Sequence, residues 1–162
     1  MSVKPRNEEE GTLPDRIALA MTDLAGAMGR LNDLVAQRIG VGTSDLLCLH
    51  TLGREGSSTA GTLSARLGRT TGAITQMIDR LERAGYVRRK PDPEDRRRVV
   101  VEAVPESLGK IAALYVGVDA RSRRLMSRFT AEQLDVIHVF LNESRQIMVE
   151  ESDSLTGDDR TR

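Results

Sequence analysis

The chain has no tryptophan, two tyrosines and two phenylalanines among its 162 residues. Its core must therefore rest on Leu, Ile, Val, Ala and Met, and no aromatic platform marks a class of stacked ligand. One cysteine, Cys48, excludes an internal disulfide and a cysteine metal cluster. Two histidines, His50 and His138, do not make a ligand set, so no metal and no cofactor is expected. No nucleophile–base pair stands out, so no catalytic residue is assigned and an enzyme is the weakest class of function. No stretch approaches the roughly 20 apolar residues of a membrane-spanning helix. The opening MSVKPRNEEEGTLPDR lacks the apolar core of a signal peptide. The cytoplasm is the expected compartment.

Net charge is also missing, because 24 Lys/Arg balance 24 Asp/Glu. That balance conceals an uneven distribution. Residues 54–98 hold 11 Lys/Arg against 6 Asp/Glu, and the remainder carries the compensating negative charge. A local basic region inside a neutral chain points to a polyanionic partner. With 39% hydrophobic and 30% charged residues, the chain reads as a folded protein, and its length suits one domain or one domain with long helical extensions.

Hydrophobic spacing sets out the elements. Residues 1–12 are polar and expected to be disordered. From about Pro14 to Ile39 a helix carries Ile17, Met21, Leu24, Met28, Leu31 and Val35 in a coiled-coil-like seam. Gly40 to Gly42 breaks it. Thr43 or Ser44 is placed to cap a second helix bearing Leu46, Leu49 and Leu52, which Gly53 and Gly56 end. Thr59 opens a short third helix with Ala60, Leu63 and Leu67 inward, and Gly68 stops it. Thr70 caps a fourth, with Ile74, Met77, Ile78 and Leu81 inward, ending near Gly85. The period then changes. Tyr86 to Arg88 and Val99 to Val101 read as two short strands joined through Pro91, Asp92 and Pro93. A fifth helix runs from about Pro105 to Arg128. Thr130 and Gln133 form a capping box for a sixth, which continues to about Glu151. Residues 152–162 are expected to be a disordered tail.

The expected fold is mainly α with a small β-hairpin. Residues 43–104 form a winged helix-turn-helix domain. Residues 13–42 and 105–151 form a helical dimerisation region. Helix-turn-helix order puts the fourth helix in a DNA major groove. Its outer face offers Thr70, Thr71, Gly72, Thr75, Gln76 and Arg80 as contacts. Gln76 suits an adenine edge, and Thr71 or Thr75 a thymine methyl or a base acceptor. Small residues at its start let the backbone approach a duplex, and its free N–H groups suit phosphate. The hairpin supplies charge from Arg88, Arg89 and Lys90 on one arm and Arg96, Arg97 and Arg98 on the other. A thin tip bearing Arg suits the minor groove. Arg66 and Arg69 add candidate phosphate contacts.

The run LSARLGRTTGAITQMIDRLERAGYVRRKPDPEDRRRVVV resembles the MarR-type transcriptional regulators. Leu63, Leu67, Gly68, Thr70, Gly72, Leu81 and Gly85 to Val87 carry the likeness, with Arg89 and the stretch Asp92 to Arg97. Asp95 and Arg97 match the family's wing signature, in which an Asp precedes an Arg by two residues. The likeness covers about residues 43–101; the flanking helices agree only in order and length. It implies a homodimer on a pseudo-palindromic operator, probing double-stranded DNA with two winged domains, and a repressor often released by a small-molecule effector. The family's usual Leu-Thr after the wing is replaced here by residues 102–107.

Bland readings stand beside these. Gln76 is equally a solvent-facing helix residue, and Arg66 and Arg69 equally hydrated surface. Asp95 suits a structural role, orienting the Arg97 guanidinium. Ile17, Met21 and Leu24, with Leu134, Ile137 and Leu141, are candidates for the dimer interface rather than internal core. Cys48, between Leu47 and Leu49, reads as a buried small hydrophobe rather than a redox sensor. A winged-helix module for protein contact, without DNA, is the alternative function.

Overall fold

The computed structural model describes residues 11–158. The elements in chain order are α1 (Leu13–Ile39), α2 (Thr43–Glu55), α3 (Ala60–Leu67), α4 (Thr71–Arg83), β1 (Val87–Pro91), β2 (Val99–Ala103), α5 (Pro105–Met126) and α6 (Ala131–Asp158). They divide into two compact units, Met1–Leu114 and Tyr115–Arg162. Among the described residues no helix is long and apolar enough to cross a membrane.

The first unit is built around α2, α3 and α4, whose inward residues follow the spacing in the sequence. Leu46, Leu49 and Leu52 of α2, Leu63 of α3 and Ile74, Met77, Ile78 and Leu81 of α4 are all buried. Their apolar area leaving water is the main stabilising term for the unit. Val87, Val100 and Val101 close the core from the hairpin, and Ile111 from α5. Val35 and Ala36 close it from the end of α1. The Tyr86 hydroxyl donates to the Ile39 carbonyl at 2.7 Å, tying the end of α1 to the base of the hairpin.

Caps account for the sharp helix boundaries. Thr59 Oγ1 accepts the Thr62 N–H at 3.1 Å and Thr70 Oγ1 accepts the Ala73 N–H at 3.3 Å, each satisfying an end donor that the helix cannot. Gly68 ends α3 at φ 59°, a left-handed conformation that side chains resist. The second helix corrects the expected cap. Gly42, not Thr43 or Ser44, occupies the cap position. The Thr43 hydroxyl instead donates to Asp33 at 2.7 Å, fastening α2 to α1. Gly53 does not end α2 either; the helix runs on to Glu55. A Cβ at Gly53 would meet Leu108 at 3.3 Å, so this glycine makes room for α5.

β1 and β2 pair antiparallel, with Arg88 opposite Glu102 and Arg89 opposite Val101. Both strands extend beyond the expected ends. The far edge of β2 is also paired, because Ser58 and Val101 exchange backbone hydrogen bonds of 2.8 and 2.9 Å. A single bridging residue has no periodicity, so sequence pattern missed it.

The expected disorder of residues 1–12 falls mostly on residues 1–10, outside the described residues. Thr12, however, caps α1. Its N–H and hydroxyl both donate to Asp15, at 2.9 and 2.6 Å. These bonds, the hydroxyl's first, hold the Asp15 carboxyl below its ordinary pKa.

In the second unit, Thr130 and Gln133 form the expected reciprocal box, at 2.9 and 3.3 Å. α6 then runs through residues 152–158, part of the stretch expected to be a loose tail. Leu155, one turn beyond Glu151, continues the apolar spacing of Leu141 and Met148.

Candidate nucleic-acid interface

Four apolar residues anchor α4, which leaves the opposite face exposed. Thr71, Gly72, Thr75 and Gln76 all lie on that face. The Thr75 hydroxyl donates to the Thr71 carbonyl at 2.9 Å, which leaves its exposed oxygen free to accept. The Thr70 hydroxyl oxygen also serves as the helix cap, accepting the Ala73 N–H. Gly72 is informative because nothing inside the chain requires it. A Cβ there would meet no atom within 4 Å, and its backbone is helical. Replacing it with alanine should raise helix stability by up to about 1 kcal/mol. The Gly72→Ala chain is nonetheless expected to bind duplex DNA several-fold more weakly, measured by fluorescence anisotropy beside a urea melt. Unchanged affinity would show that nothing approaches this face closely.

The basic side chains separate into two classes. Several are paired within the chain. Arg80 donates to Asp45 of α2 at 2.8 Å. Asp45 is buried, and a buried carboxylate without its partner is costly, so this arginine braces α4 against α2. Arg66 pairs with Glu55 at 2.8 Å, and Arg69 donates to Ser44 at 3.3 Å. On the hairpin, Arg88 pairs with Glu102 at 2.5 Å and Lys90 pairs with the same carboxylate. Lys90 first and Arg88 second hold Glu102 below its ordinary pKa. Arg89 bridges to α4, reaching Asp79 at 2.6 Å and also Glu82.

The wing tip forms the second class. Arg96 and Arg97 are exposed and have no side-chain partner among the described residues. Arg98 lies 3.9 Å from Asp92, at the limit of an ion pair. The acidic residues here order the backbone instead. Asp92 accepts the Glu94 N–H and Asp95 the Arg97 N–H, both at 3.0 Å, in Asx turns. This corrects the role expected for Asp95: it orients the main chain of Arg97, not its guanidinium. With Asp92 and Asp95 engaged in this way, two arginines stay displayed.

The paired carboxylates Asp45, Glu55, Glu82 and Glu102 were not singled out from sequence. Only Glu102 left a usable signal. Once the hairpin register is drawn, it falls opposite Arg88, where opposite charges attract across strands. The others depend on which helix faces which.

Cys48 is fully buried, as expected. Desolvation, then the nearby Asp45, push its pKa up to about 11. The thiol stays protonated at neutral pH and is a packing group, not a thiolate nucleophile.

The candidate dimer residues are displayed rather than packed in the single chain. Ile17 and Leu24 of α1 are exposed, and Met21 is half-buried. On α6, Ile137 and Leu141 are exposed and Leu134 half-buried.

Comparison with known proteins gives concordant likenesses. The model of the MarR family matches residues 43–99, from the start of α2 to the start of β2. YcgE of Bacillus subtilis (strain 168), described as an uncharacterized HTH-type transcriptional regulator, is 38% identical over 120 residues, 74% of this chain and 78% of the relative. Among solved structures, FabT of Streptococcus pneumoniae in complex with DNA is 18% identical, covering 84% of this chain and 97% of FabT at a TM-score of 0.64. A MarR protein from Peptoclostridium difficile is 19% identical, covering 93% of this chain and 96% of that one at a TM-score of 0.62.

Proposed function

The chain belongs to the MarR family, and on that footing we propose that it is a sequence-specific regulator of transcription that binds double-stranded DNA. α4 would enter the major groove, with Thr71, Gly72, Thr75 and Gln76 facing base edges. Arg96 and Arg97 would enter the adjacent minor groove. Arg69 and Arg98, each weakly held within the chain, are the further candidates for phosphate. One observation carries this reading: two arginines stand without a side-chain partner among the described residues, at a wing tip where Asp92 and Asp95 are engaged with backbone N–H groups. The DNA complex of FabT, a protein of the same fold, supports the assignment.

The protein acts as a homodimer, in this reading, and as a repressor on a pseudo-palindromic operator. Operators with two-fold symmetry need two domains at a fixed spacing. The exposed apolar residues of α1 and α6 supply surface that a second copy would cover. Release by a small-molecule effector fits the family, and the effector is unidentified. The site of action is the nucleoid in the cytoplasm, and the protein is not an enzyme.

Binding to duplex DNA taken from upstream of its own gene tests the proposal. An electrophoretic shift should appear at about 50 mM salt and weaken by orders of magnitude by about 200 mM. Absence of binding, or binding indifferent to salt, would overturn it.

A further inference from the structure

Arg89 differs from the other wing cations in what holds it. Val87, Arg89 and Pro91 share one face of β1, while Arg88 and Lys90 share the other with Glu102. The Arg89 face is turned to α4. Its guanidinium meets Asp79 at 2.6 Å and also Glu82. Its backbone N–H donates to Glu82 at 3.1 Å. Asp79 and Glu82 are three residues apart, on one side of the helix. One forked cation therefore spans two carboxylates on the recognition helix, and one of these also grips its main chain. The cluster carries a net negative charge, a poor seat for phosphate.

We propose that Arg89 is a positioning residue that fixes the wing to α4, and not one of the phosphate contacts. The assignment rests on the DNA-binding reading and deepens it. A helix in the major groove and a loop in the next minor groove are useful together only at a fixed mutual angle. β1 and α4 are joined by a short turn through Gly85, at φ 77°. Buried Val87, Val100 and Val101 and the Ser58–Val101 bonds hold the base of the hairpin. The Arg89 bridge ties β1 directly to α4 and completes the fixing of that angle.

Two substitutions separate positioning from phosphate contact, using a duplex selected by the wild-type protein from a random-sequence library. Glu82→Ala removes a negative charge. If Arg89 met phosphate, that change would free it and leave binding equal or tighter. The positioning role requires binding several-fold weaker, with hydroxyl-radical protection lost in the minor groove and dimethyl-sulfate protection of guanine N7 retained in the major groove. Arg89→Lys keeps the charge but not the fork. A phosphate contact would survive this change; the bridge should not, and affinity should fall with an unchanged slope against log salt.

A third readout needs no DNA. In the free protein, Glu82→Ala should speed amide exchange in β1 and β2 while α2 and α3 keep their protection. Unchanged exchange, or tighter binding by Glu82→Ala, overturns the role of Arg89. Failure of the wild-type chain to select any duplex overturns the DNA-binding reading instead.

Discussion

An Arg96→Ala/Arg97→Ala chain is expected to bind duplex DNA about 10³-fold more weakly than the wild type. Groove contacts of this kind contribute about 1–3 kcal/mol each. The low end of that range, taken for both residues in both protomers of a dimer, gives about 4 kcal/mol, and about 1.4 kcal/mol is tenfold. Folding should be unaffected, because both side chains are exposed and lack partners among the described residues. The slope of log affinity against log salt should fall by about 0.9 for each phosphate that is no longer neutralised. Titration at several salt concentrations measures both quantities. An Arg88→Ala/Lys90→Ala chain is the informative control. It removes the same amount of charge, but those side chains share the Glu102 carboxylate, which offsets one of their two charges. If the two double variants weaken binding equally, net charge alone matters and the division into paired and displayed cations is wrong. If the tip variant retains full activity in cells, the protein-contact module becomes the better account.

The second large effect concerns assembly. Ile137→Asp/Leu141→Asp is expected to convert a dimer to a monomer in sedimentation velocity at micromolar concentration. Both residues are exposed in the single chain, at 38% and 51%, so the substitutions leave the protomer's own packing largely intact. In a symmetric interface each position occurs twice. Removing four apolar side chains from a buried face costs about 1.5–3 kcal/mol apiece. Burying carboxylates in their place costs more. Affinity for a two-fold duplex should fall at least about 10²-fold, because the second domain no longer binds at high effective concentration. A variant that stays dimeric would move the interface elsewhere on the chain. A monomer with undiminished affinity would show that one domain suffices.

The contrast between these variants bears on what could be read beforehand. Every helix was visible in the sequence because its apolar residues recur at the helical period. Ile74, Ile78 and Leu81 fall on one face of α4 and, with Leu63 of α3, are found inside, whereas much of the apolar seam of α1 and α6 is exposed in the single chain. Boundaries followed where a side chain or a glycine could end a helix, as at Thr59, Gly68 and Thr130. Boundaries failed where a tertiary neighbour decided. Gly53 looked like a stop, yet it is a helical residue cleared for Leu108. Thr43 looked like a cap, yet it is bonded to Asp33.

For the candidate site, the sequence supplied the inventory: a polar helix face, a basic hairpin and an unpaired apolar seam. All three are properties of short segments, and local spacing is enough to show them. It did not say which cations are displayed. That depends on carboxylates distant along the chain, and a charge's reach is set by distance in space. Arg80 meets Asp45 across 35 positions, and Arg88 meets Glu102 across 14. Arg96 and Arg97, in the same basic run, meet no such carboxylate among the described residues. Composition made the wing basic; folding decided which of its charges are turned toward a partner.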